Sequence, residues 1–205
     1  LIELTPGDFP KKVWFGFCGS EASEIVGRLL PLATGKRRVL GFIGGYHGST
    51  DASMSLSSHS AQTQFIGGGN VIRAPYPHPY RPPFGEGDSD LGEQTIRYIE
   101  EFLFKTICPP RDTAGIFVES LQSDSGDVVP PPSFLPGLER LCRQHGMYLI
   151  VDDVKVGMGR TGKMFALDHH PGVKADIICL AKGLGSGMPI GACVARADIM
   201  DWHKG

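Results

Sequence analysis

Four short runs decide what this chain can fold into: residues 39–43, 115–118, 147–151 and 177–180 are apolar along almost their whole length. A strand with one wet face alternates apolar and polar side chains, so a strand without alternation is covered on both faces. Between these runs lie stretches with a helical period. Residues 20–33 open on Ser20 as a capping residue, with Glu21 and Glu24 in an acidic first turn and Ile25, Leu29 and Leu32 on one face. Residues 90–108 put Ile96, Ile99, Phe102 and Leu103 on one side, and residues 133–145 end at Gly146, a residue suited to a left-handed C-cap. Shorter strands are expected at 70–74 and 192–194. Strands and helices in this alternation predict an α/β fold, an open and mostly parallel sheet with helices on both faces. The 205 residues amount to one domain, with or without a small appendage.

Composition narrows the possible functions. Lys and Arg number 20 against 22 Asp and Glu, a net charge of −2, which lacks the basic excess of a nucleic-acid-binding domain. No apolar run approaches the roughly 20 residues of a membrane helix. Neither nucleic acid nor membrane is therefore expected as a partner. The 28 glycines and 16 prolines have no collagen-like period and belong to turns; five of the prolines sit in the loop 75–87. The five cysteines (Cys18, Cys108, Cys142, Cys179 and Cys193) are odd in number, widely spaced and without a CxxC pair. That pattern suits a cytoplasmic, reducing location better than a disulfide framework. No metal site is expected, since the seven histidines show no ligand spacing. His169 and His170 read as surface residues, Cys18 as a small buried hydrophobe and Arg160 as a brace for its loop. The chain begins at Leu1 without a signal-like pattern, and residues 201–205 read as a helix barely begun, as in a piece of a longer polypeptide.

Open α/β sheets bind ligands beyond the carboxyl ends of their strands. Here those ends present Tyr46-His47-Gly48, Glu119, Asp152-Asp153 and Lys182, while Phe17-Cys18-Gly19-Ser20 leads into a helix start suited to an anion. An anion cradle, an aromatic ring, a carboxylate and a lysine together match pyridoxal phosphate, which needs each of them.

The same residues resemble the class III aminotransferase family, pyridoxal-phosphate-dependent enzymes of fold type I. The resemblance lies in Cys18-Gly19-Ser20-Glu21-Ala22, Gly45-Tyr46-His47-Gly48-Ser49-Thr50, Asp152-Asp153-Val154 with Gly159-Arg160-Thr161-Gly162, and Ala181-Lys182-Gly183-Leu184-Gly185-Ser186-Gly187. These motifs keep the family's order and cover nearly the whole chain. The resemblance implies Lys182 as the lysine that bonds the cofactor's aldehyde and Asp152 on the pyridine nitrogen. It implies Cys18, Gly19 and Ser20 at the phosphate, Tyr46 stacked on the ring, and His47, Glu119 and Val154 beside them. It also implies that residues 1–205 are the large cofactor-binding domain, lacking an N-terminal segment and a small C-terminal domain. The whole protein is then a homodimer with a shared site, in which the partner's threonine completes the phosphate cradle.

Within that family, Gln122-Ser123-Asp124, Asp152-Asp153-Val154-Lys155-Val156-Gly157 and Pro75-Tyr76-Pro77-His78-Pro79-Tyr80-Arg81-Pro82 are similar to α-amino-ε-caprolactam racemase and related amino-acid-amide racemases. Ordinary members carry Gln in place of Lys155 and a Gly-Glu pair in place of Ser123-Asp124. Three further positions depart from the family pattern: Cys18 for Ser, Asp153 for Glu and Ser120 for Pro. The expected activity is racemisation of an amino-acid amide or lactam. Lys182 is the base on one face, and Asp124, held by Lys155, is the acid on the other. Amino transfer to a 2-oxo acid is the alternative, and a catalytically inactive fragment is a third.

Overall fold

The computed structural model describes residues 1–60, 70–85 and 90–201. Glu86 and Gly87 of the proline-rich loop, and residues 202–205 of the terminal run, lie outside the described residues. Seven strands form one sheet: β1 (Lys11–Gly16), β2 (Arg38–Phe42), β3 (Val71–Ala74), β4 (Thr113–Glu119), β5 (Tyr148–Asp152), β6 (Ile177–Leu180) and β7 (Gly191–Arg196). Their order is β1-β7-β6-β5-β4-β2-β3. The five strands from β3 to β6 run parallel, and β7 and β1 close one edge antiparallel. The helices are α1 (Gly19–Thr34), α2 (Asp51–Leu56), α3 (Leu91–Tyr98), α4 (Phe134–His145) and α5 (Ala197–Met200).

The pleat sorts the apolar residues of the central strands to two faces. Ile116 and Val118 of β4, with Leu149 and Val151 of β5, pack under α3 and α4; Ala114, Phe117 and Ile150 face α1. Every residue of β4 is buried, the physical reason its sequence does not alternate. Phe134 on α4 meets Phe42 and Tyr76 edge to face, at 5.3 and 5.2 Å between ring centroids. Full burial of a side chain of this size contributes roughly 1.5–3 kcal/mol.

Local differences from the sequence reading have identifiable causes. The α1 N-cap is Cys18, not Ser20, and Cys18 is exposed rather than buried. Leu32 is 67% exposed, because the buried stripe of α1 runs through Ala22, Val26, Leu29 and Leu30. Glu24 pairs with Arg28 of its own helix at 3.6 Å and also reaches a second helix. Its carboxylate accepts from Thr50 Oγ1 and from the Ala52 backbone, both at 2.8 Å, at the start of α2. The expected long helix 90–108 becomes π-helical over Ile99–Leu103, and this turns Phe102 outward onto Tyr98. Near the C-terminal end α5 covers Ala197–Met200, with Asp201 at its cap. β1 escaped notice because it opens Lys11-Lys12 and is only half-buried, as suits an edge strand.

Candidate active site

The carboxyl ends of β2, β4, β5 and β6 and the start of α1 surround a cavity of about 390 Å³. Its wall includes Cys18, Gly19, Ser20, Tyr46, His47, Glu119, Asp124, Asp152, Val154, Lys155 and Lys182, so all the residues singled out from the sequence meet there. Phe17, Gly48 and Ser123, members of the same sequence motifs, also line it, and Met188, Pro189 and Ile190 join them without any signal in the sequence.

The anion end is built by close backbone approach. The first intrahelical bond of α1 runs from the Ala22 N–H to the Cys18 carbonyl, so the N–H groups of Gly19, Ser20 and Glu21 precede the helical ladder. A Cβ on Gly19 would lie 2.5 Å from Val154 Cγ1, and one on Gly191 only 2.1 Å from the Cys18 carbonyl oxygen. Gly48, at φ +132°, lets its loop come against Ser20, whose hydroxyl accepts the Ser49 N–H at 3.1 Å. These glycines let Val154, the start of β7 and the Gly48 loop close directly on the start of α1, whose free N–H groups suit an anion.

Behind the cavity lies a buried polar network. His47 Nδ1 and Asp152 Oδ2 are 2.7 Å apart, with both side chains almost fully buried. The other Asp152 oxygen accepts the Val154 N–H at 2.9 Å. The His47 ring stands edge-on to Phe117 at 4.5 Å, and its backbone N–H donates to Ser57. His47 thus lines the cavity and also anchors Asp152. The two residues are 105 apart in sequence, and no local pattern could have paired them. Glu119 spends both oxygens on backbone: Oε1 accepts from Tyr46 N–H at 3.0 Å and Oε2 from Ser123 N–H at 3.1 Å. Burial pushes its carboxyl up to about 7, against the opposing influence of His47.

Two of the departures from the family pattern turn out to be partners. Ser120 Oγ donates to Asp153 Oδ1 at 2.6 Å, and the other Asp153 oxygen accepts the Leu167 N–H at 3.2 Å. Asp153, shorter than the usual Glu, meets a serine hydroxyl that the usual Pro could not supply. Burial raises its carboxyl to about 6.

On the open side, Lys155 Nζ lies 3.1 Å from Asp124 Oδ1. Tyr46 is half-buried, with its hydroxyl 3.1 Å from Ser49 Oγ. Lys182 stands just past the end of β6, separated from it by one residue, exposed and at φ +46°. Such a backbone conformation is uncommon for a residue other than glycine and points to a position held for a purpose. Arg160 is exposed, and its brace is its backbone N–H, donated to the Gly157 carbonyl at 3.2 Å. Of the two histidines taken for surface residues, His169 is exposed and His170 half-buried. Among the described residues, no group of three or more His, Cys, Asp or Glu side chains is placed to hold a metal ion. Nor is any helix among them long and apolar enough to cross a membrane.

A lysine, a buried carboxylate held by histidine, a half-buried aromatic ring and a helix start with free N–H groups at Gly19 and Ser20 form a donor set that fits pyridoxal phosphate. The pattern of the family described as "Aminotransferase class-III" matches residues 1–205. Isoleucine 2-epimerase of Lentilactobacillus buchneri is 34% identical over 98% of this chain and 45% of its own. Acetylornithine aminotransferase of Methanopyrus kandleri is 38% identical over 98% of this chain and 46% of its own. Among solved structures, an amine transaminase from an uncultivated Pseudomonas species, in its PLP-bound form, superposes with a TM-score of 0.85 at 30% identity. That match covers 93% of this chain and 45% of the other. The chain thus spans about half the length of the curated relatives it matches.

Proposed function

The chain belongs to the class-III aminotransferase family of pyridoxal-phosphate-dependent enzymes, and from that premise we propose that it moves the α-proton of a small amino compound between two faces, as a racemase or epimerase. What supports this reading above all is that Lys182 and the Asp124–Lys155 ion pair line one cavity. A second reading, amino transfer, is favoured by the similarity to an acetylornithine aminotransferase, and it would use every cofactor residue alike. The relative named for isoleucine points to amino acids as the substrate class. An amide or lactam rests on the Gln122-Ser123-Asp124 and Lys155 motifs. We infer further that residues 1–205 are the cofactor-binding large domain of a longer protein, a homodimer with a shared site.

In this reading Asp152 would hold the ring nitrogen, Tyr46 would lie against the ring, the Gly19 and Ser20 backbone would take the phosphate, and Lys182 would bond the aldehyde carbon until the substrate's amine replaces it and frees Nζ. The cofactor supplies an electron-withdrawing ring that acidifies the substrate's α-proton. Asp152, fixed by His47 and the Val154 N–H, presents a carboxylate that does not reorient as charge moves. Lys182 Nζ accepts the α-proton on one face. Asp124 returns a proton on the other, with the Lys155 ammonium 3.1 Å from its carboxyl. Both members of the pair are more than a third exposed, so water can reset their protons between turnovers.

The test is Asp124→Asn in the whole protein, given L-leucine and L-leucinamide in deuterated water. Inversion is expected to fall about 10²–10⁴-fold, the usual worth of a positioned proton donor. Exchange with retention, carried by Lys182, continues. Inversion at the wild-type rate refutes the two-face scheme, and accumulation of pyridoxamine phosphate by the wild type with an amino donor favours amino transfer.

A further inference from the structure

The Asp124–Lys155 pair cannot hold itself in place. Exposed by 35% and 41%, it is the kind of ion pair whose worth is at most about 1 kcal/mol. Yet a proton donor must stay within a few tenths of an ångström of its line of approach to be useful. Something else fixes the loop that bears Asp124.

That loop leaves β4 and closes on itself. Gln122 and Val128 exchange backbone bonds of 3.1 and 2.9 Å, and the Ser123 carbonyl accepts the N–H groups of Gly126 and Asp127, each at 3.2 Å. It is then tied across to the loop after the neighbouring strand β2, which bears Tyr46. Gln122 Nε2 donates to the Ile43 carbonyl at 2.9 Å, and Ser125 Oγ to the Gly44 carbonyl at 2.7 Å. Glu119 accepts one N–H from each loop, Tyr46 at 3.0 Å and Ser123 at 3.1 Å. Gly44, at φ +88°, permits the approach, since a Cβ there would stand 2.7 Å from Ser125 Oγ. Three bonds thus reach the loop that bears Tyr46, from Gln122, Ser125 and Glu119, and a fourth ties Ser123, the residue before Asp124, to the same Glu119 carboxylate.

We propose that Gln122 and Ser125, with Glu119, are positioning residues that lock the Asp124 loop to the Tyr46 loop and so set the direction from which the second proton arrives. The inference rests on the two-face reading of the reaction. It predicts a selective defect: loosening the clamp harms delivery by Asp124 and leaves removal by Lys182 alone. A merely structural role would lower both together.

The experiment uses the whole protein loaded with pyridoxal phosphate, as Ser125→Ala and as Gln122→Leu combined with Ser125→Ala, with L-leucine and L-leucinamide in deuterated water. Ser125 is exposed, so the single variant leaves the fold intact. Borohydride-trappable cofactor and exchange with retention stay within twofold of wild type. Inversion falls about 3- to 10-fold in the double variant and less in the single, as the loss of one or two hydrogen bonds implies. In the cofactor-free protein the Tyr46 and Ser123 amides exchange hydrogen faster. An unchanged ratio of inversion to exchange in both variants overturns the clamp. An unchanged ratio in Asp124→Asn overturns the two-face reaction instead.

Discussion

Gly191→Ala probes the anion end of the cavity through a single methyl group. Gly191 opens β7 opposite Gly16, the residue from which β1 hands the chain to Phe17 and Cys18. The added Cβ would stand 2.1 Å from the Cys18 carbonyl oxygen and 2.6 Å from its carbon. An ordinary carbon–oxygen contact is over 3 Å, so the N-cap of α1 must retreat by about 1 Å, and the obstacle is backbone rather than a flexible side chain. Overpacking of this kind costs about 1–3 kcal/mol in stability. The same retreat carries the N–H groups of Gly19 and Ser20 away from a bound phosphate. Losing one charge-assisted bond, about 1.5–3 kcal/mol, corresponds to roughly 10- to 100-fold in affinity. Absorbance titration of the whole protein with pyridoxal phosphate reads the change, and pyridoxal, which lacks the phosphate, is the internal control. Affinity for pyridoxal phosphate is expected to fall by that factor while affinity for pyridoxal holds. Gly35→Ala, at φ +67° with nothing within 4 Å of the new Cβ, is expected to cost stability without touching either ligand. If Gly191→Ala binds pyridoxal phosphate as the wild type does, the helix start is not the phosphate cradle.

Two predictions concern stability. Burial raises the Asp153 carboxyl from the ordinary aspartate range to about 6, so its contribution is present at low pH and is lost as pH rises through 6. Denaturant unfolding of the wild type at pH 4 and 7 should therefore show about 2 kcal/mol of loss from this group, and Asp153→Asn should remove that part of the slope; an unchanged slope contradicts the assignment. Asp176 is buried, accepts the Leu149 N–H at 2.8 Å and takes Arg143 Nη1 on both oxygens at 2.9 and 2.8 Å. Asp176→Ala leaves those donors unmatched and should lower stability by about 2–4 kcal/mol in the same assay, whereas a loss under 1 kcal/mol contradicts that role.

The sheet was legible because β4 and β5 are buried on both faces, and burial of that kind leaves no alternation to misread. The edge was not: β1 wears two lysines, and its sequence resembles a loop as much as a strand. Phe102 obeyed helical spacing until the π turn over Ile99–Leu103 shifted every later residue around the axis, a change no periodicity can announce. At the site, Lys182, Asp152 and Tyr46 stood out because each follows an apolar run. The pairings did not. Ser120 and Asp153 each looked like a separate oddity, and only their 2.6 Å contact makes them one feature. Cys18 was expected to be buried as small cysteines commonly are, but it caps the helix at the cavity mouth, where its backbone rather than its thiol matters.

Everything proposed for this site depends on Lys182 carrying the cofactor. The direct measurement is to reduce the whole protein with borohydride in the presence of pyridoxal phosphate, digest it, and locate the pyridoxyl group by mass spectrometry. The account expects one labelled peptide, with the modification on Lys182, and no label in Lys182→Ala. A label on Lys155 or Lys163, or one that persists in Lys182→Ala, contradicts it.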